Sequence, residues 1–399
     1  MKMPFNIRTP SFDAEAIHKT IHSALAAAGL NPTSGPLLGV TDTVRRALAA
    51  AGLPASQGGG AAPTEVIDVV ARVLDVRQDS GSASARPPSA DASRGPAGSF
   101  ETFSHTNRAG SRAYKLYVPA GIGALPPPLV VMLHGCTQSA DDFAAGTRMN
   151  QLADEQGFLV LYPEQASSAN ASKCWNWFKA QDQTRDAGEP SLIAGIVREV
   201  AARHGVDRRR IFVAGLSAGA AMAVILGETY PELFAGVGAH SGLPYRSAHD
   251  IPSALVAMKG GRSGSAGIKA APEPGTPARP AVAQTVPTIV FHGDRDHTVQ
   301  QSNGIEIVQQ ASAAHAAAGA GQALSHRTER GTVPGGRSFS RTVHADAAGR
   351  GRVESWTVHG AGHAWAGGSE SGSYTDARGP DASAEMLRFF LSLPRAGSA

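Results

Sequence analysis

The chain has 399 residues, with 36 Lys and Arg against 33 Asp and Glu and a formal net charge of +3. Only 17% of residues are charged and the cations form no strong basic cluster, which argues against nucleic acid as the main partner. No apolar run approaches the ~18 residues of a membrane span, and the N-terminal MKMPFNIRTPSFDAEAIHK lacks the uninterrupted apolar core of a signal peptide.

Residues 1–76 read as a small helical region. Ile17, Ile21 and Leu25 fall at helical spacing and Gly29 ends that stretch; Val44 and Leu48 repeat the pattern up to Gly52. Val66, Val69, Val70 and Val73 form a third apolar stripe, and the heptapeptide ALAAAGL occurs at both 24–30 and 47–53. Such stripes pack on one another or on a larger domain, or else present an amphipathic surface to a lipid, a polymer granule or a partner. Residues 77–98 are rich in Ser, Ala, Pro and Gly and read as a flexible linker, taken as far as residue 105.

From about Phe100 the texture changes, and 106–395 reads as one catalytic domain. Residues 113–118 alternate like a half-exposed strand, and Leu129 to Leu133 is continuously apolar, as in a central parallel strand. A helix is expected over Asp141 to Gln156 and a strand over 158–162. Leu192, Ile193, Ile196, Val197 and Val200 form a helical face. Further apolar segments at 233–239, 287–291 and 353–358 and a last helix near 384–393 complete an α/β class with a mostly parallel sheet. Residues 259–285 are Gly/Pro-rich and read as a mobile insertion.

The stretch Arg210 to Tyr230, RIFVAGLSAGAAMAVILGETY, organises the chemistry. Strand residues 211–214 run into Gly215-Leu216-Ser217-Ala218-Gly219, and a small-residue helix follows. Strand, G-x-S-x-G and helix together form a nucleophile elbow, in which the serine sits on a sharp turn and its neighbours must be small. In an α/β-hydrolase the acid and the histidine follow the serine in the chain. The strand 287–291 leads into HGDRDHTV, with Asp294 and Asp296. Asp296 is favoured because the acid must reach past the strand end, whereas Asp294 sits within the turn; either could instead brace that turn. His363, in GAGHAW after strand 353–358, is the favoured base, with His359 second. The N–H of Ala218 and one from the loop at Cys136 are the expected oxyanion donors. The set requires neither metal nor cofactor. Cys136 could be a rival nucleophile, could pair with Cys174 or could stay a buried thiol; one disulfide would suit an oxidising compartment.

LHGCTQ at 133–138, LYPEQ at 161–165, CWNWF at 174–178, GLSAGAAM at 215–222, YPELFAG at 230–236, FHGDRDHTV at 291–299 and GAGHAWAGG at 360–368 resemble the polyhydroxybutyrate depolymerase family of esterases. The resemblance runs from about residue 111 to 393. It implies an α/β-hydrolase fold and a serine carboxylic-ester hydrolase acting on poly- or oligo(3-hydroxyalkanoate) esters. It matches Ser217, Asp296 and His363 to the triad and Cys136 to the oxyanion loop, pairs Cys136 with Cys174, and lines the substrate cleft with Trp175, Trp177 and Trp365. On residue type alone the three tryptophans could equally be core. Polymer-degrading relatives carry a signal peptide and a C-terminal polymer-binding domain, neither of which is visible here. Feruloyl or acetylxylan ester hydrolysis is the alternative chemistry, and granule-surface binding through the N-terminal helices the alternative role. The resemblance places the protein outside the cell, against a cytoplasmic reading of its N-terminus.

Overall fold

The computed structural model describes residues 98–261, 284–319 and 321–394, all within a unit spanning Asp91–Ala399. The helices expected in 1–76, most of the linker and most of the 259–285 insertion lie outside the described residues.

The first strand starts where the sequence texture changes, ahead of the domain boundary expected at 106. Residues 99–105, expected as linker, belong to β1 (Ser99–Asn107), which pairs antiparallel with β2 (Gly110–Val118) along its whole length. Ser- and Thr-rich sequence mimics a linker, but Phe103 stacks on Tyr114 at 5.5 Å, and Phe100 meets Tyr117 and Tyr162 edge-on. These cross-strand aromatic pairs hold the hairpin to the sheet.

After β3 (Leu129–Leu133), the single helix expected over 141–156 is two: α1 (Ala140–Thr147) and α2 (Met149–Gln156). Arg148 breaks it in the left-handed region, at φ 56° and ψ 22°, where its guanidinium reaches Gly367 O at 2.7 Å and Asp381 at 3.1 Å. Next come β4 (Leu159–Pro163), α3 (Gly188–Arg203), β5 (Ile211–Leu216), α4 (Ala218–Thr229) and β6 (Gly236–His240). Then α5 (Ile251–Met258), β7 (Thr288–Gly293) and α6 (Ser302–Ala318) lead to β8 (Ser325–Thr332), β9 (Ser338–Ala345) and β10 (Gly351–Val358). A short pair, β11 (Trp365–Ala366) with β12 (Thr375–Asp376), and α7 (Ala382–Ser392) close the described chain.

Among the described residues the main sheet has ten strands in the order β1-β2-β4-β3-β5-β6-β7-β10-β9-β8. The run β4-β3-β5-β6-β7-β10 is parallel, and antiparallel strands extend both edges. Strand alternation divides the core between two faces. Leu129, Val131 and Leu133 pack with Ile193, Ile196 and Val197 of α3 on one face, while Val130 and Met132 pack with Phe143, Met149 and Phe390 on the other. The carboxyl ends of the parallel strands therefore gather on one edge, carrying the loops after β3, β5, β7 and β10.

The antiparallel extension has one buried ionic anchor. Glu354 of β10, its side chain 3% exposed, accepts from Arg341 Nε and Nη2 at 2.9 Å each and from Trp356 Nε1 at 2.8 Å, and it pairs with Arg388 of α7. Removing the carboxylate leaves Trp356 N–H without its acceptor and the two guanidinium groups with only their more exposed partners, Glu329 and Glu385. Glu354→Ala is expected to lower urea-denaturation stability by about 3–5 kcal/mol, against less than about 1 kcal/mol for Glu329→Ala on the exposed edge strand.

Candidate active site

Ser217 joins β5 to α4 at φ 58° and ψ −120°, a backbone conformation that L-residues rarely adopt. The turn is too tight for side chains on either flank. A Cβ on Gly215 would lie 2.5 Å from Gly219 C and 2.6 Å from Leu133 O, and one on Gly219 would strike Leu133 O and sit 2.6 Å from His134 O. Ser217 N–H donates to His240 O at 2.9 Å, and Ser217 O accepts from Ala221 N–H at 3.0 Å, so the turn is tied to β6 and to the new helix. The first N–H groups of α4 have no intrahelical acceptor, Ala218 among them. The loop after β3 comes against the same point: a Cβ on Gly135 would be 3.6 Å from Ser217 Cβ.

Two Asp–His pairs stand on the neighbouring loops. His363 Nδ1 lies 2.7 Å from Asp296 Oδ2, and the Asp296 side chain is wholly buried. Its other oxygen accepts N–H bonds from Thr298 and Val299, both at 2.9 Å. Burial opposes charge on Asp296, but the bonds from His363 and Val299 outweigh it and hold the carboxyl below its ordinary value. Because the carboxylate only accepts, Nδ1 of His363 carries the proton and Nε2 is left as the basic nitrogen. Asp294 pairs instead with His359, at 2.9 Å, and accepts Gly360 N–H at 2.7 Å. It thereby clamps the base of the loop that carries His363.

The loop 134–138 is held from every side. A disulfide joins Cys136 to Cys174, so the thiol is not free to act as a nucleophile. Gly135 N–H donates to Gln138 Oε1 at 2.9 Å and Thr137 N–H to Ser172 O at 2.7 Å, which leaves the Cys136 N–H between two fixed neighbours. His134 is buried; its Nδ1 bonds Gly135 O at 2.7 Å and its Nε2 accepts Gln165 N–H at 3.0 Å. Behind it Glu189, nearly buried, accepts from Gln165 Nε2 at 2.5 Å and from Asn176 N and Nδ2 at 2.7 Å. Burial, reinforced by nearby Asp182, pushes the Glu189 carboxyl up.

The three tryptophans expected in the cleft are core residues. Trp175 and Trp365 are no more than 1% exposed and Trp177 is 6% exposed. Their indole N–H groups show the reason where they are bonded: Trp175 donates to His134 O at 3.1 Å and Trp365 to Ser383 Oγ at 3.1 Å, inside the fold. Trp175 thereby braces the loop 134–138 from inside the fold.

The family model described as esterase PHB depolymerase matches residues 112–330. The chain belongs to this family. It is 36% identical over 273 residues to a poly(3-hydroxyalkanoate) depolymerase C of Paucimonas lemoignei, covering 65% of this chain and 59% of that protein. It is 31% identical over 240 residues to a probable acetylxylan esterase A of Aspergillus fumigatus, covering 57% and 62%. The chain thus spans about six-tenths of the length of these relatives. In structure it resembles an acetyl xylan esterase from Aspergillus awamori, at a TM-score of 0.53 and 20% identity over 73% of this chain and 98% of that one. The fold is that of the α/β-hydrolase-like esterases.

In this family member the buried histidines around the site are features that sequence reading passed over. His240 accepts Ala366 N–H at 3.0 Å, stacks on Trp365 and Phe291, and lends its carbonyl to Ser217. His292 donates through Nε2 to Val299 O at 2.8 Å and lies 3.6 Å from Asp296. Each directly follows or ends an apolar strand, in GAHSG and IVFHG, and that position is the signal that could have found them. Among the described residues no three His, Cys, Asp or Glu side chains group as metal ligands, and no helix is long and apolar enough to cross a membrane.

Burial pushes His240 down to about 3, and also lowers His134 and His292. The unfolded chain takes up protons at these sites near pH 6.5, whereas in the fold His240 does so only near pH 3, and burial makes His134 and His292 harder to protonate. Between about pH 6.5 and 3 the native state therefore binds fewer protons, and stability falls as pH falls. Urea denaturation from pH 7 to 4.5 should show a loss of up to about 1.4 kcal/mol per pH unit from His240, with His134 and His292 adding in the same direction. His240→Gln should flatten that slope; an unchanged slope would mean that its burial is not the cause. The depressed Asp296 contributes in the same direction, but only below the ordinary carboxylate range.

Proposed function

We infer that this protein is a serine carboxylic-ester hydrolase that cleaves oligo- or poly(3-hydroxyalkanoate) esters or related short-acyl esters. The observation that carries the reading is the strained Ser217 at the β5–α4 turn, with a histidine–carboxylate pair on the adjoining loops. His363 Nε2 takes the Ser217 proton as Oγ attacks the ester carbonyl. The oxyanion of the tetrahedral intermediate receives the N–H groups of Ala218 and Cys136, fixed before substrate arrives by the helix start and by the braced loop. His363 then protonates the leaving alcohol, and the acyl-Ser217 ester is hydrolysed by a water that His363 deprotonates. Asp296 keeps the imidazole in its reactive tautomer and stabilises the imidazolium, without itself taking the proton.

The hydroxyalkanoate substrate is favoured by the family and by the Paucimonas relative. Acetylated or feruloylated polysaccharide is the second reading, supported by the acetylxylan esterase and feruloyl esterase relatives. The disulfide suits an extracellular setting.

Ser217→Ala should lower kcat on a short-chain ester by on the order of 10⁴-fold or more with the fold intact by circular dichroism. Full turnover in that variant would end the proposal. Asp296→Asn should cost about 10⁴-fold in kcat, because it reverses the hydrogen bond that sets the tautomer; Asp294→Asn should fall far short of that. Equal losses at the two aspartates would reassign the acid. Product release from a soluble 3-hydroxybutyrate trimer, run beside acetyl and feruloyl esters, chooses the substrate class: preference for the trimer supports the polyester reading, and preference for either other ester replaces it.

A further inference from the structure

A hydrogen-bonded serine, histidine and aspartate stand beside the proposed catalytic set, built on the Asp294–His359 pair. Ser340 Oγ is 2.9 Å from His359 Nε2, and His359 Nδ1 is 2.9 Å from Asp294 Oδ2. Asp294 Oδ1 is occupied by Gly360 N–H at 2.7 Å, so the carboxylate is oriented as well as paired. The acceptor-only carboxylate puts the imidazole proton on Nδ1, which leaves Nε2 to accept from the Ser340 hydroxyl. This is the tautomer and order of a general base facing a nucleophile. The group is accessible: the His359 side chain is 39% exposed and that of Asp294 31%, and Ser340 is half-buried.

What differs from Ser217 is the surrounding backbone. Ser340 sits within β9, which is paired to β10 and β8 on its two sides, so its backbone N–H groups serve the ladder. The strand has no elbow, and no helix begins at this serine. Directly across the ladder, in register with Ser340, stands the exposed Arg330, whose Cβ lies about 5 Å away by strand geometry. That cation is the local group able to meet developing negative charge.

We propose that Ser340, His359 and Asp294 form an auxiliary acyl-accepting site that reacts with activated esters such as aryl esters. Ser340 Oγ attacks the acyl carbon while its proton passes to His359 Nε2. The bond from the acyl carbon to the aryl oxygen breaks, the phenolate leaves with the proton from His359, and the acyl group remains as a Ser340 ester. A positioned base contributes about 10²–10⁴-fold, and the lack of backbone oxyanion donors forfeits about 10²–10³-fold for each donor. The site therefore accepts acyl groups from good leaving groups and does not turn over alkyl esters at the rate of a complete triad.

The test uses the full chain carrying Ser217→Ala, which removes the main nucleophile and keeps the outcome independent of the function proposed above. The protein is treated with p-nitrophenyl butyrate, and acylation of each serine is followed by peptide mass spectrometry. Ser340 is expected to acylate at least tenfold faster than Ser325 and Ser338, exposed serines of the same hairpin. Adding His359→Asn, or separately Asp294→Asn, should reduce Ser340 acylation at least tenfold and leave the two reference serines unchanged. Labelling of Ser340 at the rate of Ser325 and Ser338, or labelling indifferent to His359, would overturn the proposal.

Discussion

The site depends on one steric constraint, the contact between the turn 215–219 and the end of β3. Leu133 O and His134 O occupy the volume that side chains on Gly215 and Gly219 would need. With those side chains absent, the chain reverses sharply and Ser217 is forced to positive φ at the head of α4. The same closeness brings the loop that follows β3 to the serine. A single packing contact between adjacent parallel strands thus sets the conformation of the nucleophile and the place of the loop expected to receive the oxyanion. The strain is maintained because β5 is completely buried and bonded to β3 and β6 on its two sides.

The loop beyond β3 shows how such a position is kept. It is fixed covalently by Cys136–Cys174, and by polar bonds that run from His134 through Gln165 to the buried Glu189. On the other side Gln138 Nε2 bonds Asp142 at 2.7 Å and Ser373 O at 3.1 Å, and Thr137 Oγ1 meets the Tyr374 hydroxyl at 3.2 Å. A preorganised donor needs this rigidity, since a loop that must reorder around the oxyanion loses much of the electrostatic gain. The buried Trp175 belongs to this scaffold.

The aspartates two residues apart show how environment divides identical side chains. Asp296 is buried and held by two backbone N–H groups, and it faces a histidine that is itself largely enclosed. Asp294 lies nearer solvent and bonds the base of the histidine loop. The first arrangement favours a fixed tautomer in a low-dielectric setting, the second a fixed loop.

Ser217 and the strand–turn–helix around it were legible in the sequence because the period of apolar residues and the size limits of a tight turn are local properties. So were the parallel strands, whose continuous apolar runs reflect burial on both faces, and the loop placement of Asp294, Asp296, His359 and His363. The pairing of His363 with Asp296, and of His359 with Asp294, was decided in three dimensions, since both aspartates share one turn and both histidines one loop. The tryptophans could be read either as cleft or as core until packing buried them. The strand 325–332 has no apolar residue to reveal it, and 338–345 has only a weak pattern in Phe339 and Val343, because they form an outer extension held by ladder bonds, by the packing of Phe339 on Trp356 and by Glu354. The break at Arg148 comes from contacts with Gly367 and Asp381, more than two hundred residues away. Sequence by itself determined what the backbone does over a few residues; only the tertiary structure decided which side chains lose water and which partners they meet, because burial and pairing are set by residues distant in the chain.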